Sequence, residues 1–182
     1  MPRREATGDP PPVRTDRQVR GFVRDEVGAM LRGLGIAALA LASACARAAC
    51  VALSPAAGAA PPLAQVALDD RAPAFRVTYV HSVTLTPVEE RYVVEGDHIV
   101  QTEIRFVEHG PGLPTAPDAG GTFEQRDGTF VVRGRREFDR IVMRVDAAQE
   151  PALATATRTL DLARWGHRAL ALTASADGCD AP

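Results

Sequence analysis

Two residues that could carry acid–base or ligand chemistry stand out in the segment FRVTYVHSVTLTPVEERYVVEG, residues 75–96. His81 lies in the first of two alternating apolar and polar runs, and Glu90 lies in the second. An imidazole with a carboxylate can transfer protons in an enzyme, hold a polar ligand, or form a satisfied hydrogen bond inside a core. The residue types alone leave these three roles open.

The alternation predicts a β-hairpin that brings the two residues together. If residues 84–87 form the turn, His81 lies directly opposite Glu90, and Tyr79 lies opposite Tyr92. Directly opposed residues in an antiparallel pair have Cβ atoms about 4.5–5.5 Å apart, which is close enough for a side-chain hydrogen bond. We therefore expect the imidazole and the carboxylate to meet on one face of the hairpin.

The next turn, at residues 96–98, places Glu90 on an apolar face. It pairs Glu90 with Ile104 and Val88 with Phe106 in a third strand. A carboxylate in such surroundings must be paired, hydrogen-bonded or protonated.

Ser82 does not complete a catalytic arrangement with His81. Neighbouring residues of a strand point to opposite faces, so His81 is poorly placed to take the hydroxyl proton of Ser82. The sequence has no GxSxG and no CxxC motif. A metal site would need a further histidine or carboxylate from elsewhere in the chain. We predict no metal and no other cofactor.

The segment FVEHGPGLPTAPDAGG follows the third strand. Gly110, Gly112, Leu113 and Pro114 are expected to form a stiff turn, since glycine admits unusual backbone angles and proline restricts its neighbours. The turn is either a sharp exit from the sheet or a row of backbone N–H groups offered to an anion. Residues 115–128 are expected to form a mobile excursion.

Short alternating runs at regular spacing predict a mostly β domain over residues 63–174. The expected architecture is a single antiparallel β-sandwich or partly open barrel of about seven to eight short strands. The domain is followed by a flexible tail, 175–182. The strand candidates are residues 63–68, 75–84, 88–95, 99–107, 129–133, 141–145, 157–162 and 168–173.

The first 50 residues have the composition of an export segment. Residues 1–29 are rich in proline and arginine, which indicates a disordered extension or a gene start placed too early, with Met30 as the true start. Residues 30–50 show a positive charge, an apolar run and small residues in the order of a signal peptide. We expect a signal-type helix there, as a cleaved signal or a membrane anchor.

Three outcomes for this segment remain open. Ala42-Ser43-Ala44 fits a cleavage site, and further small residues lie near residues 57–59. Cys45 follows LASA, which resembles the lipobox of bacterial lipoproteins, so lipidation at Cys45 is the second outcome. An uncleaved anchor is the third. Each places the domain in the periplasm or on the outer face of the cytoplasmic membrane, with residues 51–62 as a linker.

Cysteine and charge content exclude two classes of protein. Three cysteines, Cys45, Cys50 and Cys179, do not make a disulfide framework. Cys50 and Cys179 could pair in an oxidising compartment, but we expect them not to, because both fall in segments taken as flexible. The formal net charge is -2 with arginines scattered among acids, which is not the pattern of a nucleic-acid-binding protein.

Three motifs resemble a known family. They are an aromatic-x-His-Ser-Val segment at 79–83, a Pro-Val-x-Glu segment at 87–90, and a Gly-x-Gly-Leu-Pro segment at 110–114. Together they resemble the bacterial family of domain of unknown function 1850. This chain departs from the expected pattern at Pro111, where a small residue is usual, and at His109, where an aromatic is usual.

The resemblance implies a small exported or membrane-attached protein, often encoded beside tripartite periplasmic transporters. It carries no established activity, so no catalytic residue is transferred. We predict an exported accessory or small-ligand-binding module that meets the membrane only through its N-terminal segment. A transporter subunit or solute-binding protein is its expected partner. The alternatives are a small envelope enzyme with Glu90 as base and His81 orienting it, and a structural protein-interaction domain.

Overall fold

The computed structural model describes residues 48–179, which form eleven β-strands and two short 3₁₀ turns. In this part of the chain we find no helix with the length and apolar content to cross a membrane. The strands are β1 Cys50–Pro55, β2 Ala64–Ala67, β3 Ala74–Val80, β4 Pro87–Glu95, β5 His98–Phe106, β6 Thr122–Arg126, β7 Thr129–Phe138, β8 Ile141–Val145, β9 Ala152–Ala154, β10 Thr159–Asp161 and β11 Arg168–Ser175.

The strands form two antiparallel sheets. The small sheet has the order β2-β1-β11-β8, and the large sheet has the order β10-β9-β3-β4-β5-β7-β6. Apolar side chains from both sheets meet in one core, which contributes most of the hydrophobic stabilisation. The mostly antiparallel β class is therefore confirmed, with eleven strands instead of seven or eight. Core members include Val51, Leu53, Leu170 and Leu172 of the small sheet and Phe75, Val77, Val94, Ile99 and Leu153 of the large sheet.

The first strand corrects the predicted domain boundary. β1 pairs with β2 on one side and with β11 on the other, and its Val51 and Leu53 are fully buried. The assignment of residues 51–62 to a linker, and of Cys50 to an export segment, is therefore wrong for β1. Alanine and proline dominate the composition there and obscure the alternation of two apolar side chains. Predictions for residues 1–47, including lipidation at Cys45, lie outside the described residues.

The C-terminal end is also held more firmly than predicted. β11 extends to Ser175, and a disulfide joins Cys50 to Cys179 with a Cα–Cα distance of 5.0 Å. The expectation that these cysteines stay unpaired is wrong, because Cys50 is the first residue of β1 and the pairing of β1 with β11 brings Cys179 close to it. The bond links the beginning of β1 to the residues that follow β11.

One strand was missed in the segment expected to be mobile. β6 pairs with β7 through a turn at Asp127 and Gly128, whose φ angles are 48° and 77°. Positive φ at both central residues is typical of the tight turn that Asp-Gly favours. The signal was present in the sequence, but the short and polar β6 lacks the apolar alternation by which strands are recognised.

Two parts of the chain pack against the inner face of the large sheet, which is the face toward the small sheet. The small sheet covers part of it through the main core. The segment 107–121 covers another part, where Leu113 packs on a second apolar cluster. The remaining members of this cluster are Val88, Ile104, Phe106 and Val132.

The outer face of the large sheet carries a network of charged pairs. Glu103 forms ion pairs with Arg91, Arg105 and Arg133, the last at 2.8 Å. Burial by itself raises the pKa of the Glu103 carboxyl, but the hydrogen bond from Arg105 and the charges of the three arginines lower it below its ordinary value. Glu89 also pairs with Arg91, and Glu124 also pairs with Arg133, so three carboxylates balance the three arginines of this network.

We predict that Cys179→Ser destabilises the fold by about 2–5 kcal/mol, because the disulfide closes a long loop and its loss frees the unfolded chain. Urea unfolding of the oxidised full chain measures this. A thiol reductant should lower the midpoint of the wild type to that of Cys179→Ser and leave the variant unchanged. A wild-type midpoint that the reductant leaves unchanged would show that the disulfide does not stabilise the fold.

Candidate functional site

The hairpin that carries the candidate residues has a different register from the predicted one. In the β3–β4 ladder Val77 lies opposite Glu90 and Phe75 lies opposite Tyr92. The pairing of His81 with Glu90 is therefore wrong. The strands separate after Val80, and the connection is the longer loop 81–86 instead of a turn at 84–87. The displacement is an even number of residues, so the faces of the strands are as predicted.

The next ladder follows the prediction near the site. Glu90 lies opposite Ile104 and Val88 lies opposite Phe106, as expected. The registers differ further along, because a bulge falls between Arg91 and Tyr92 and places Tyr92 opposite Gln101.

His81 explains why the loop is longer. Its Nδ1 accepts hydrogen bonds from the backbone N–H groups of Val83 and Thr84, at 3.3 and 3.2 Å. Because Nδ1 is an acceptor, the ring proton is on Nε2, which donates to the backbone oxygen of Pro111 at 3.1 Å. The side chain is 7% exposed. His81 thus closes its own loop and ties that loop to the segment 110–114.

The loop held by His81 exposes apolar side chains. Leu85 has a φ of 55° and is 75% exposed, and Val83 is 65% exposed. A leucine in the left-handed region is uncommon and costs free energy, so the surrounding hydrogen bonds must maintain it. Ser82 is exposed, and both His81 nitrogens bond to other groups, which agrees with the rejection of a Ser82–His81 nucleophile.

The predicted Gly110–Pro114 turn packs directly on this histidine. A Cβ atom at Gly110 would lie 2.6 Å from His81 Cε1 and 2.9 Å from Thr84 Cγ2. Gly112 has a φ of 88°, a conformation that glycine adopts readily. The turn is closed by a 3.1 Å hydrogen bond from Leu113 N–H to the Gly110 oxygen. It therefore serves to turn the chain back, so that Leu113 can cover the second cluster.

Glu90 lies at the centre of a hydrogen-bonded cluster with both tyrosines of the chain. Tyr79 donates its hydroxyl to Glu90 Oε1 at 2.9 Å, and Tyr92 donates to Oε2. Gln101 Nε2 donates to the Tyr92 oxygen at 3.4 Å. Phe75 stacks on the Tyr92 ring with centroids 5.0 Å apart, which fixes that ring. Sequence reasoning named the two tyrosines but missed Gln101, because the bulge moves it to this position.

Bulges in two neighbouring ladders assemble the polar row around Tyr92. The β4–β5 ladder shifts register beside Tyr92, and the β5–β7 ladder shifts between Gln101 and Glu103. Gln101 consequently lies opposite Tyr92 on one side and opposite Arg136 on the other. Bulges redirect side chains and are common beside functional sites. Arg136 forms an ion pair with Asp118 at 2.9 Å, which anchors the segment that was expected to be mobile.

A cavity of about 460 Å³ opens over the Glu90 cluster. Its lining comes mostly from the inner face of the large sheet, from residues 111–118 and from β8 at the edge of the small sheet, and it also includes Glu103 and Arg133 of the charged network. His81 and Glu90 therefore share one cavity although they do not bond to each other. Charged residues in the lining are Glu90, Glu103, Asp118, Arg133, Arg136 and Arg144.

Within residues 48–179, no group of three or more His, Cys, Asp or Glu side chains is placed to hold a metal ion. The candidate site is instead a carboxylate with neutral hydroxyl and amide donors beneath a cavity. Such a site can accept hydrogen bonds and can balance positive charge.

In the described residues, fold and site define a β protein of two antiparallel sheets with a polar cavity beside the part of the large sheet that the small sheet does not cover. Residues 75–162 match the model of the family described as a domain of unknown function (DUF1850). The resemblance expected from the three motifs is confirmed, and the matched residues include the whole Glu90 cluster. No curated protein and no solved structure matches the chain.

We predict that Gly110→Ala lowers the free energy of unfolding by about 1–3 kcal/mol, because the added methyl group overlaps the His81 ring. Gly134→Ala is the matched control. Its Cβ atom would be 3.8 Å from the nearest side chain, so we expect a change below about 1 kcal/mol. Chemical denaturation compares the two variants. Equal effects would show that the contact with His81 does not constrain the turn.

A second prediction concerns the two tyrosines. Burial first, and then the charge and hydrogen bond of Glu90, raise the pKa of Tyr79 and of Tyr92 well above the ordinary value of 10.0. The folded state therefore holds both protons where the unfolded state loses them, so the stabilisation that the two tyrosines contribute is fully present below about pH 10 and falls as the pH rises further.

Alkaline titration followed by phenolate absorbance measures this. Because the chain has only these two tyrosines, the folded protein should show no phenolate at pH 10, whereas the chain in denaturant should be about half ionised. Phenolate should form together with unfolding. Ionisation of either tyrosine near pH 10 in the folded chain would contradict the cluster.

Proposed function

We propose that this protein is an exported small-ligand-binding module of the cell envelope. The observation that carries the proposal is the cavity of about 460 Å³ above the Glu90 cluster. Its volume falls in the range of about 300–1,000 Å³ found for small-molecule sites. Its polar groups converge on one carboxylate, whereas a merely structural cluster would have no need of adjoining space.

Export is supported by the disulfide together with the N-terminal composition. Bonds such as Cys50–Cys179 persist in oxidising compartments and are rare in the cytosol. Of the candidate cleavage sites, Ala42-Ser43-Ala44 would leave β1 in the mature protein, whereas a site near 57–59 would remove it from the centre of the small sheet. Lipidation at Cys45 would also retain β1.

The enzyme alternative has less support. An acid–base pair of Glu90 and His81 needs His81 to orient or relay protons to the carboxylate. Both ring nitrogens of His81 are already hydrogen-bonded: Nδ1 to the backbone of its own loop, and Nε2 to the backbone oxygen of Pro111. A binding role for the cavity needs no such relay.

The proposed partner is a subunit or solute-binding protein of a tripartite transporter. The exposed apolar side chains of Val83 and Leu85 favour a protein contact at this end of the hairpin, because His81 holds them in a fixed loop. A preformed apolar contact loses little conformational entropy on association.

The test is thermal unfolding of the oxidised full chain against a panel of organic acids, amines, amino acids, sugars and divalent metals. A compound that binds only the folded chain raises the midpoint by mass action. Ala116→Trp places a bulky ring at the cavity and should abolish the shift. Ala119→Trp, in the same exposed segment but outside the lining, should retain it.

The result that would overturn the proposal is a panel in which no compound raises the midpoint, or one in which Ala116→Trp responds as the wild type does. The cellular location of the protein is checked by fractionation and thiol labelling of cells that produce the full chain. The chain should appear in the envelope fraction with Cys50 and Cys179 protected from alkylation. A reduced chain in the cytosolic fraction would contradict export.

A further inference from the structure

The carboxylates of the cavity differ in how their charge is balanced. Asp118 pairs with Arg136, and Glu103 pairs with three arginines. Glu90 receives hydrogen bonds only from neutral groups, and among residues 48–179 no cationic side chain lies within 4.0 Å of it. A half-buried carboxylate without a counter-charge is costly unless something supplies one.

The groups around Glu90 also leave hydrogen-bond acceptors unused. Each carboxylate oxygen accepts one tyrosine hydroxyl and has a further lone pair. The hydroxyl oxygen of Tyr79 and the side-chain oxygen of Gln101 are acceptors in the same cavity. Several acceptors around one negative charge match a group that has several N–H donors and a positive charge.

An organic ammonium group fits this arrangement better than a metal ion does. Divalent cations such as Ca²⁺ and Mg²⁺ take about six to eight oxygen ligands. Among the described residues no group of three or more His, Cys, Asp or Glu side chains is placed to hold one. An ammonium needs only one carboxylate and a few neutral acceptors, and it is further stabilised by nearby aromatic faces. Tyr79, which is partly buried, is one of the lining residues of the same cavity.

We propose that the cavity binds a small organic ammonium compound, with its charged nitrogen on Glu90. This inference rests on the proposed function and names the ligand class of the same site. The ammonium group belongs either to a simple amine or to an amino acid. An amino acid would also present a carboxylate, which Arg136 or Arg144 in the lining could receive.

The experiment uses four probes of equal chain length: butylammonium, 4-aminobutanoate, butanoate and butanol. Each is titrated into the oxidised full chain at pH 7 by calorimetry, alongside thermal unfolding. We expect binding of butylammonium, 4-aminobutanoate or both, and none of butanoate or butanol. Tighter binding of 4-aminobutanoate identifies an amino acid, and equal binding identifies a simple amine.

Glu90→Gln is the decisive variant, because it keeps the shape and removes the charge. We expect it to weaken ammonium binding by roughly tenfold or more, as for the loss of a hydrogen bond to a charged group. Glu89→Gln is the matched control: it is the neighbouring residue on β4, faces the outer side, and pairs with Arg91. It should leave binding unchanged.

Two results would overturn the inference while the proposed function stands. One is that neither ammonium probe binds, although another compound of the panel raises the midpoint in a way that Ala116→Trp abolishes. The other is equal binding of the ammonium probes by the wild type and Glu90→Gln. If Glu90→Gln does not fold, the wild type alone tests the inference: it should bind butylammonium and not butanol, and equal binding of the two would overturn the inference. Absence of any binding overturns both proposals.

Discussion

The constraint on which this structure depends is the unequal width of its two sheets. Within residues 48–179, seven strands in the large sheet face four in the small sheet, so the small sheet leaves part of the inner face uncovered. Apolar side chains there cannot remain in water at no cost. The segment 107–121 covers Val88, Ile104, Phe106 and Val132, and the remaining space between the two covers is the cavity. The cavity follows from the architecture, and the bulges decide which side chains it receives.

His81 holds the segment 107–121 in place over the large sheet. The imidazole accepts hydrogen bonds from two backbone N–H groups of its own loop and donates one to the backbone oxygen of Pro111. It therefore connects two segments about thirty residues apart, as a side chain with both a donor and an acceptor can. Gly110 allows the close approach because it has no Cβ atom. The motif residues His81, Gly110 and Gly112 are therefore explained by one arrangement of backbone, while Glu90 and the tyrosines form a separate cluster. The sequence placed all of them at one site, but only the structure separates their roles.

Local patterns predicted the fold class well and the site only in part. Alternation in β3, β4 and β5 identified the strands and their faces, because side-chain period survives an even register shift. The register of the β3–β4 ladder depends on a loop that the His81 side chain closes. Such a loop has no turn motif by which it could be recognised in the sequence. Gln101 was missed because a bulge places it opposite Tyr92. Arg136 was missed because the predicted strand ended at residue 133, whereas β7 continues to Phe138. β1 was missed because an Ala-rich composition was weighed above the alternation of Val51 and Leu53.

The connection between β1 and β11 bears on how this chain reaches its folded state. β1 lies between β2 and β11, and its cysteine pairs with one that follows 129 residues later. A chain that emerges from its beginning onward can form the β1–β2 hairpin early, but the other edge of β1 stays open until β11, the last strand of the described residues, has emerged. Such long-range pairing is slow, and an open edge invites pairing with another chain. The interval between the first strand and the last is therefore the period in which this protein most needs protection from aggregation.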